Sequence, residues 1–244
     1  MGEWNLPDTV QKASIEKLGG SFSWETGVYD ASISMVYLNQ SASEAVSFNV
    51  VLKNSQGKEL EEAFWIKSGK AKGNKTFYTK NGKDFPLPGY SVANSLCVAA
   101  TGQSLAKNMD NIEQKTIQIY DSAEGKKISK ERPVLVALLT LQVKVAVQQI
   151  LEFKQKKNDA TGEYENIGET RTVNECKFFG NSAGKTTEEI LSDSPAGMFE
   201  KWSEKYAGQV LDKTLGKKAT ASAAKVMGGS TPVAAPAASS LFAK

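Results

Sequence analysis

The sequence predicts a mainly β protein with helical additions, an α+β chain whose antiparallel strands close into a barrel. Three observations predict it. Apolar and polar residues alternate at period two over Tyr29–Tyr37 and again over Val46–Leu52, as in strands with one buried face. Turn signals separate such runs, at Asn39–Ser43, at Asn54–Gly57 and most strongly at Asn81-Gly82. Clear helical spacing is confined to short stretches.

Met1–Gly20 reads as an N-terminal arm, with Asp8 or Thr9 capping a short helix over Val10–Leu18 and Gly19-Gly20 ending it. From Ser21 the period becomes two: Phe22 and Trp24, then Gly27, Tyr29, Ala31, Ile33, Met35 and Tyr37, alternate with Ser, Thr, Asp and Ser, as in a strand with one buried face. Gly27 is expected to mark a bulge or bend where this first strand curls. Val46, Phe48, Val50 and Leu52 make the second strand, and Leu60–Lys67 the third. Phe77–Phe85 is a hairpin about Asn81-Gly82, closed by Pro86–Gly89. Tyr90–Ala100 reads as a helix with Val92, Leu96 and Ala99/Ala100 on one side and Gly102 as its stop.

Beyond it, Thr116–Tyr120 is a short strand and Asp121–Arg132 a charged loop. Leu135–Leu151 is a long β run, with Leu139, Leu141, Val143, Val145 and Val147 facing one way and Gln142, Lys144, Ala146 and Gln148 the other. Asp159–Gly162 turns it, and Tyr164–Phe179 returns antiparallel. Thr186–Leu191 and Met198–Leu215 read as helices; in the second, Phe199, Trp202, Tyr206, Val210 and Leu211 recur at helical spacing. Lys217–Lys244 holds Ala, Ser, Gly, Pro and scattered Lys, too few large apolar residues for a core, and is expected to be a flexible tail. The domain plan is an arm over 1–20, a barrel over 21–180, C-terminal helices packed on it over 181–216, and a tail over 217–244. Three meander strands, a helix-containing connection and further strands suit an OB-like antiparallel barrel, here with an extra long β-hairpin.

The chain has 244 residues and a net charge of +3, so any electrostatic footprint has to come from local segregation of charge. It has no histidine, which removes the commonest general base and the commonest zinc ligand. Cys97 and Cys176 are expected to be buried, reduced thiols of a cytoplasmic protein. Met1–Leu18 lacks the apolar core of a signal peptide, and Pro133–Val147 is interrupted by Gln142 and Lys144, so no membrane span is expected.

Charge does segregate in Trp65–Tyr90. Lys67, Lys70, Lys72, Lys75, Lys80 and Lys83 fall there with only Asp84 opposing them, interleaved with Trp65, Phe77, Tyr78, Phe85 and Tyr90. Mobile positive charge suits phosphates, and flat rings suit unpaired bases. The expected nucleic-acid contacts are therefore Lys67, Lys70, Lys72, Lys75, Lys80 and Lys83 on phosphates and Trp65, Phe77 and Tyr78 on bases, with Trp24 and Tyr29 read as core and the binding face as their alternative. A solvated lysine-rich hairpin is the plain alternative. In Tyr164–Phe179 and the run before it, Lys154, Lys156, Lys157, Arg171 and Lys177 are diluted by Glu152, Glu163, Glu165, Glu169 and Glu175.

Gly180-Asn-Ser-Ala-Gly184-Lys185-Thr186 resembles a phosphate loop but has three residues between its glycines where four are needed. No carboxylate pair is set in apolar surroundings, and no histidine can activate a Ser or Cys nucleophile. No enzyme activity, metal or cofactor is expected.

The run Gly27-Val-Tyr29-Asp-Ala-Ser-Ile33, the Phe64-Trp65-Ile-Lys67 strand, Asn81-Gly-Lys83, Leu87-Pro-Gly89-Tyr90 and Asn94-Ser-Leu96-Cys97 resemble the single-stranded DNA-binding proteins of tailed bacteriophages. The resemblance covers roughly residues 20–180. It implies an OB fold that coats single-stranded DNA during phage replication or recombination, in the host cytoplasm and without cofactor. Many proteins of that class end in an acidic tail with an apolar tip that recruits replication partners. Here nothing acidic follows Asp212, and Lys213, Lys217, Lys218, Lys225 and Lys244 follow instead, although the apolar pair Leu241 and Phe242 is present. That pair is the expected partner-binding element, and edge pairing of an added hairpin would allow a homodimer. The alternatives are a protein-interaction module that uses the basic loop, as a host-enzyme inhibitor or virion component, and a metal-dependent nuclease.

Overall fold

One long strand, β1 (Gly27–Gln40), organises the sheet. A computed structural model of the chain describes residues 23–121, 124–158 and 162–215. The expected helix over Val10–Leu18, Phe22 and the tail with Leu241 and Phe242 lie outside these residues. Strands account for 51% of the described residues and pair antiparallel, so the fold is mainly β with helices.

β2 (Val46–Asn54) pairs with β1 from Ala31↔Asn54 to Gln40↔Val46, and β3 (Glu59–Lys67) pairs with β2. Phe48, Val50 and Leu52 are fully buried, as their alternation requires. A small two-stranded sheet follows, β4 (Phe77–Lys80) with β5 (Lys83–Pro86). Helix α1 (Pro88–Thr101) starts with proline at its first turn and stops at Gly102, whose φ of 73° is the left-handed cap that glycine adopts freely. It buries Ala93, Leu96, Cys97, Val98 and Ala99, while Val92 is only partly covered. The one-turn α2 (Leu105–Asn108) leads into β6 (Ile112–Asp121).

The segment expected as a charged loop is instead β7 (Lys126–Leu135), paired residue for residue with β6 from Ile112↔Leu135 to Asp121↔Lys126. Its exposed face carries polar residues, so the strand has no apolar alternation to betray it. Backbone pairing and contacts such as Lys130 Nζ to Asp121 Oδ2 at 2.6 Å define it.

The irregularity in β1 is not at Gly27, which pairs regularly with Val147. The register slips between Ile33 and Met35. There the neighbour of β1 changes: β8 (Gln142–Lys157) pairs over Gly27–Ser32, and β7 meets β1 at Tyr37↔Val134. The chain turns through Val136–Leu138 at the branch, where Ile33 N donates to Leu141 O and Thr140 N to Ile33 O. This turn interrupts the expected continuous Leu135–Leu151 strand. The bulge also reassigns faces. Ala31, Ile33 and Val36 join the main core, whereas Tyr37 packs with Ile117, Ile119 and Val134 in a second small cluster on the other side.

In β8, Val143, Val145 and Val147 are buried as expected, but so are Ala146 and Gln148 on the face expected to be polar. Thr26 ties the chain down beside this strand, accepting from Gln149 N through Oγ1 and donating to Gln209 O. β9 (Tyr164–Gly180) returns along β8. α3 (Thr187–Leu191) and α4 (Met198–Tyr206) follow. The last helix is shorter than expected: Gly208, at φ 72°, donates to Thr26 O, and Val210–Asp212 form strand β10 beside β8, with Val210 and Leu211 exposed.

The sheet path runs β10-β8-β1-β2-β3, and no closed barrel is detected among the described residues. β3 and β9 nevertheless meet through side chains. Phe64 and Phe179 pack edge-on at 6.2 Å, and Glu62 Oε2 accepts from Cys176 N at 2.6 Å. Cys97 and Cys176 are free and buried. Trp24 is buried, with Tyr29 against its ring at 4.8 Å.

The described residues divide into two compact units, one within 23–150 with 172–211 and one within 151–171 with 212–215. The second contains the distal hairpin of β8 and β9, laced by Lys154–Glu169 and Arg171–Glu152 ion pairs, each at 2.8 Å. Among the described residues no helix is long and apolar enough to cross a membrane.

Candidate nucleic-acid interface

β3 alternates cleanly: Leu60, Phe64 and Ile66 point to the core, and Ala63 and Trp65 point outward. Trp65, 52% exposed, is therefore a surface ring by register and not an unfilled core position. Lys67 is two residues further along the same face and partly buried.

The basic segment after β3 is built on two backbone ties. Ser68 N donates to Lys75 O and Lys75 N to the Ser68 hydroxyl, both at 2.8 Å. Leu87 N donates to Thr76 O, also at 2.8 Å. Between the first pair lies a 3₁₀ turn, Lys70–Lys72, anchored to the β1–β2 loop by Lys70 N to Ser43 O and by Asn74 Nδ2 to Glu44 Oε2. Gly69 packs so close there that an added Cβ would meet Ser43 O at 2.7 Å. Between the second pair projects the β4–β5 hairpin, turning at Asn81 and Gly82 with φ of 53° and 72°.

The two-residue turn sets the hairpin register. Tyr78 lies opposite Phe85 and Lys80 opposite Lys83, so these four share one face. The Tyr78 and Phe85 rings stack at 5.7 Å and 26°, both exposed. Like charges placed directly opposite are unfavourable in a ladder, and nothing in the fold requires Lys80 and Lys83 there. On the other face Phe77 is partly covered, Lys75 Nζ sits 5.2 Å from its ring centroid, and the Thr79 hydroxyl donates to Asp84.

Charge pairing in this region differs from that of the second basic run, on β8 and β9. Among the described residues Lys67, Lys72, Lys75, Lys80 and Lys83 make no ion pair, and Lys70 has only Glu44 at 3.9 Å. The cations Lys154, Arg171 and Lys177 are each bound to a carboxylate at 2.7–2.8 Å.

At the foot of the hairpin lies a cleft of about 650 Å³. Trp65 and Lys67 line it from β3, Lys72 from the 3₁₀ turn, and Leu87, Pro88 and Gly89 from the start of α1. α1 begins hard against β3: an added Cβ on Gly89 would collide with Trp65 O and come within 2.6 Å of Trp65 N. The structure thus gathers Trp65, Lys67 and Lys72 at the cleft and Tyr78, Lys80 and Lys83 on the hairpin face. Phe77 points to the opposite hairpin face. The sequence reading left Phe85 and the Leu87–Gly89 segment out of the site. Phe85 was legible, because a two-residue turn at Asn81-Gly82 already places it opposite Tyr78.

The Gly180–Thr186 loop uses its own amides. Asn181 N donates to Lys185 O, Gly184 N to Asn181 O and Lys185 N to Asn181 Oδ1. Thr186 N and Oγ1 both bind Glu189 Oε2 in the capping box of α3. The amides of Asn181, Gly184, Lys185 and Thr186 are thus taken and do not face a phosphate. Among the described residues no cluster of three or more His, Cys, Asp or Glu is placed to hold a metal ion. No protein-family model and no curated protein sequence matches the chain.

Proposed function

We propose that the protein is a non-catalytic, sequence-nonspecific single-stranded DNA-binding protein. The observation that carries the reading is the exposed hairpin face: a stacked Tyr78–Phe85 pair beside Lys80 and Lys83, which no carboxylate neutralises among the described residues. An aromatic platform beside unpaired cations serves a strand with splayed bases and a phosphate backbone. The ring stack also ties β4 to β5, but two lysines set opposite each other do not help the hairpin fold.

An OB-like origin of the sheet belongs to the same proposal. It is supported by β1, shared between β8 and β7 at its bulge, and by the β3–β9 contact through Glu62 and Phe64. The resemblance to the phage proteins supplies the setting, DNA replication or recombination in a host cytoplasm.

Fluorescence anisotropy with labelled oligo-dT at two salt concentrations, with duplex of equal length as competitor, tests the reading. Salt-sensitive binding that duplex does not displace is expected. No binding at low salt would overturn it and leave the basic segment as a protein-binding or merely solvated surface.

A further inference from the structure

We infer that the cleft beside Trp65 is a pocket for one unstacked nucleotide, with its base against the Trp65 ring and adjoining phosphates on Lys67 and Lys72. This rests on the single-strand reading above and assigns it a second subsite, distinct from the hairpin platform.

Three observations carry the inference. The first is size: about 650 Å³ lies within the ~300–1,000 Å³ typical of small-ligand clefts, room for a nucleotide. The second is chemistry. Ala63, Ala71 and Leu87 give apolar walls, Trp65 gives a flat ring, Lys67 and Lys72 give positive charge, and no carboxylate lines the cavity. A ligand that satisfies all of these is planar, apolar on its faces and anionic.

The third is that the cleft is preformed. One wall is anchored by Lys70 N, which donates to Ser43 O at 2.8 Å, and the other packs where Gly89 lies against the Trp65 main chain. Both walls are thus tied to the sheet through the backbone, so the cavity costs little ordering to fill. Trp65 also keeps half its surface exposed there although Phe64 and Ile66 beside it are buried.

The test titrates the full chain with thymidine 5′-monophosphate, thymidine and inorganic phosphate in turn, following tryptophan fluorescence and subtracting the Trp65→Phe variant. Oligo-dT anisotropy is run alongside. The filling variant is Ala71→Leu, at an exposed position that leaves Trp65 and both lysines intact. Saturable quenching by the monophosphate is expected, weaker with thymidine and absent with phosphate. Ala71→Leu should weaken monophosphate binding by about tenfold or more, with an unchanged unfolding midpoint and with oligo-dT binding weakened but not abolished, because the hairpin still holds the strand.

If oligo-dT binds but the monophosphate gives no saturable signal, or Ala71→Leu binds it as well as wild type, the pocket is refuted and the single-strand reading stands. Equal signals from phosphate and monophosphate would refute the base contact. Absence of oligo-dT binding would overturn the reading and the pocket with it.

Discussion

Glu62 Oε2 accepts the main-chain N–H of Cys176 at 2.6 Å, joining β3 to β9 where no backbone ladder does. A side-chain carboxylate stands in for a missing strand partner and satisfies an edge amide that would otherwise be buried without one.

That placement makes stability depend on pH. Burial first, then the charge of Glu175, raise the Glu62 carboxyl from 4.5 to about 7, against hydrogen bonds from Cys176 that lower it. The folded value lies above the unfolded one. The stability linked to this proton is therefore complete below 4.5 and is lost as pH rises through about 7. The loss is at most roughly 3 kcal/mol. Glu62→Gln keeps an acceptor for Cys176 and cannot ionise, so urea unfolding should lose that slope and the variant should be the more stable near pH 8. A slope equal to wild type would assign the dependence elsewhere.

Gly89→Ala should invert the usual helix rule. Alanine ordinarily gains about 1 kcal/mol over glycine within a helix. Here the added methyl meets the Trp65 main chain, so α1 or β3 must shift, and a loss of about 1–3 kcal/mol is expected by thermal unfolding. A gain would show that α1 does not depend on this close approach.

Glu189 holds two helix starts with one carboxylate. Oε2 binds Thr186 N and Oγ1 at α3, and Oε1 binds Gly197 N and Met198 N at α4. Burial works against its charge, but those hydrogen bonds outweigh it and hold the carboxyl at about 2. The folded value is depressed, so its stabilisation is present above the ordinary range near ~4.3 and is lost as pH falls through about 2. Glu189→Gln should cost about 1–2 kcal/mol at neutral pH, discounted for solvent screening, and nothing in strong acid. Unfolding curves at both pH values check it.

Tyr78 and Phe85 should act as one platform. Each alanine substitution is expected to weaken oligo-dT binding by ~1–3 kcal/mol, and the double variant by less than the sum, since each ring loses its stacking partner with the other. Fold stability should fall by no more than about 1 kcal/mol, the worth of one half-exposed cross-strand pair. Strict additivity would mean that the rings bind separately.

The lysines should set the salt dependence. Replacing Lys72, Lys75, Lys80 and Lys83 with alanine should lower the slope of log K against log salt by roughly 3, at about 0.7 per single-strand phosphate. An unchanged slope would move the phosphate contacts elsewhere on the surface.

The sequence by itself determined the local elements. Alternation marked β1, β2 and β3 and made Trp65 an outward residue beside inward Phe64 and Ile66. Asn81-Gly82 determined a two-residue turn, and with it the Tyr78–Phe85 and Lys80–Lys83 facings. These features depend on periods and turn geometries that act over a few residues.

Tertiary structure decided whatever depends on a distant partner. β7 is a polar strand held by pairing with β6, so its own composition reads as loop. The β1 bulge falls between Ile33 and Met35 because two different strands share that edge, a junction that Gly27 does not mark. The last helix stops at Tyr206 because Thr26, far away in the chain, takes Gly208 and Gln209. The cleft at Trp65 exists because Gly69 and Gly89 each close on a separate segment. A backbone hydrogen bond or a steric contact between residues distant in sequence leaves no local period, and only the folded chain brings its two halves together.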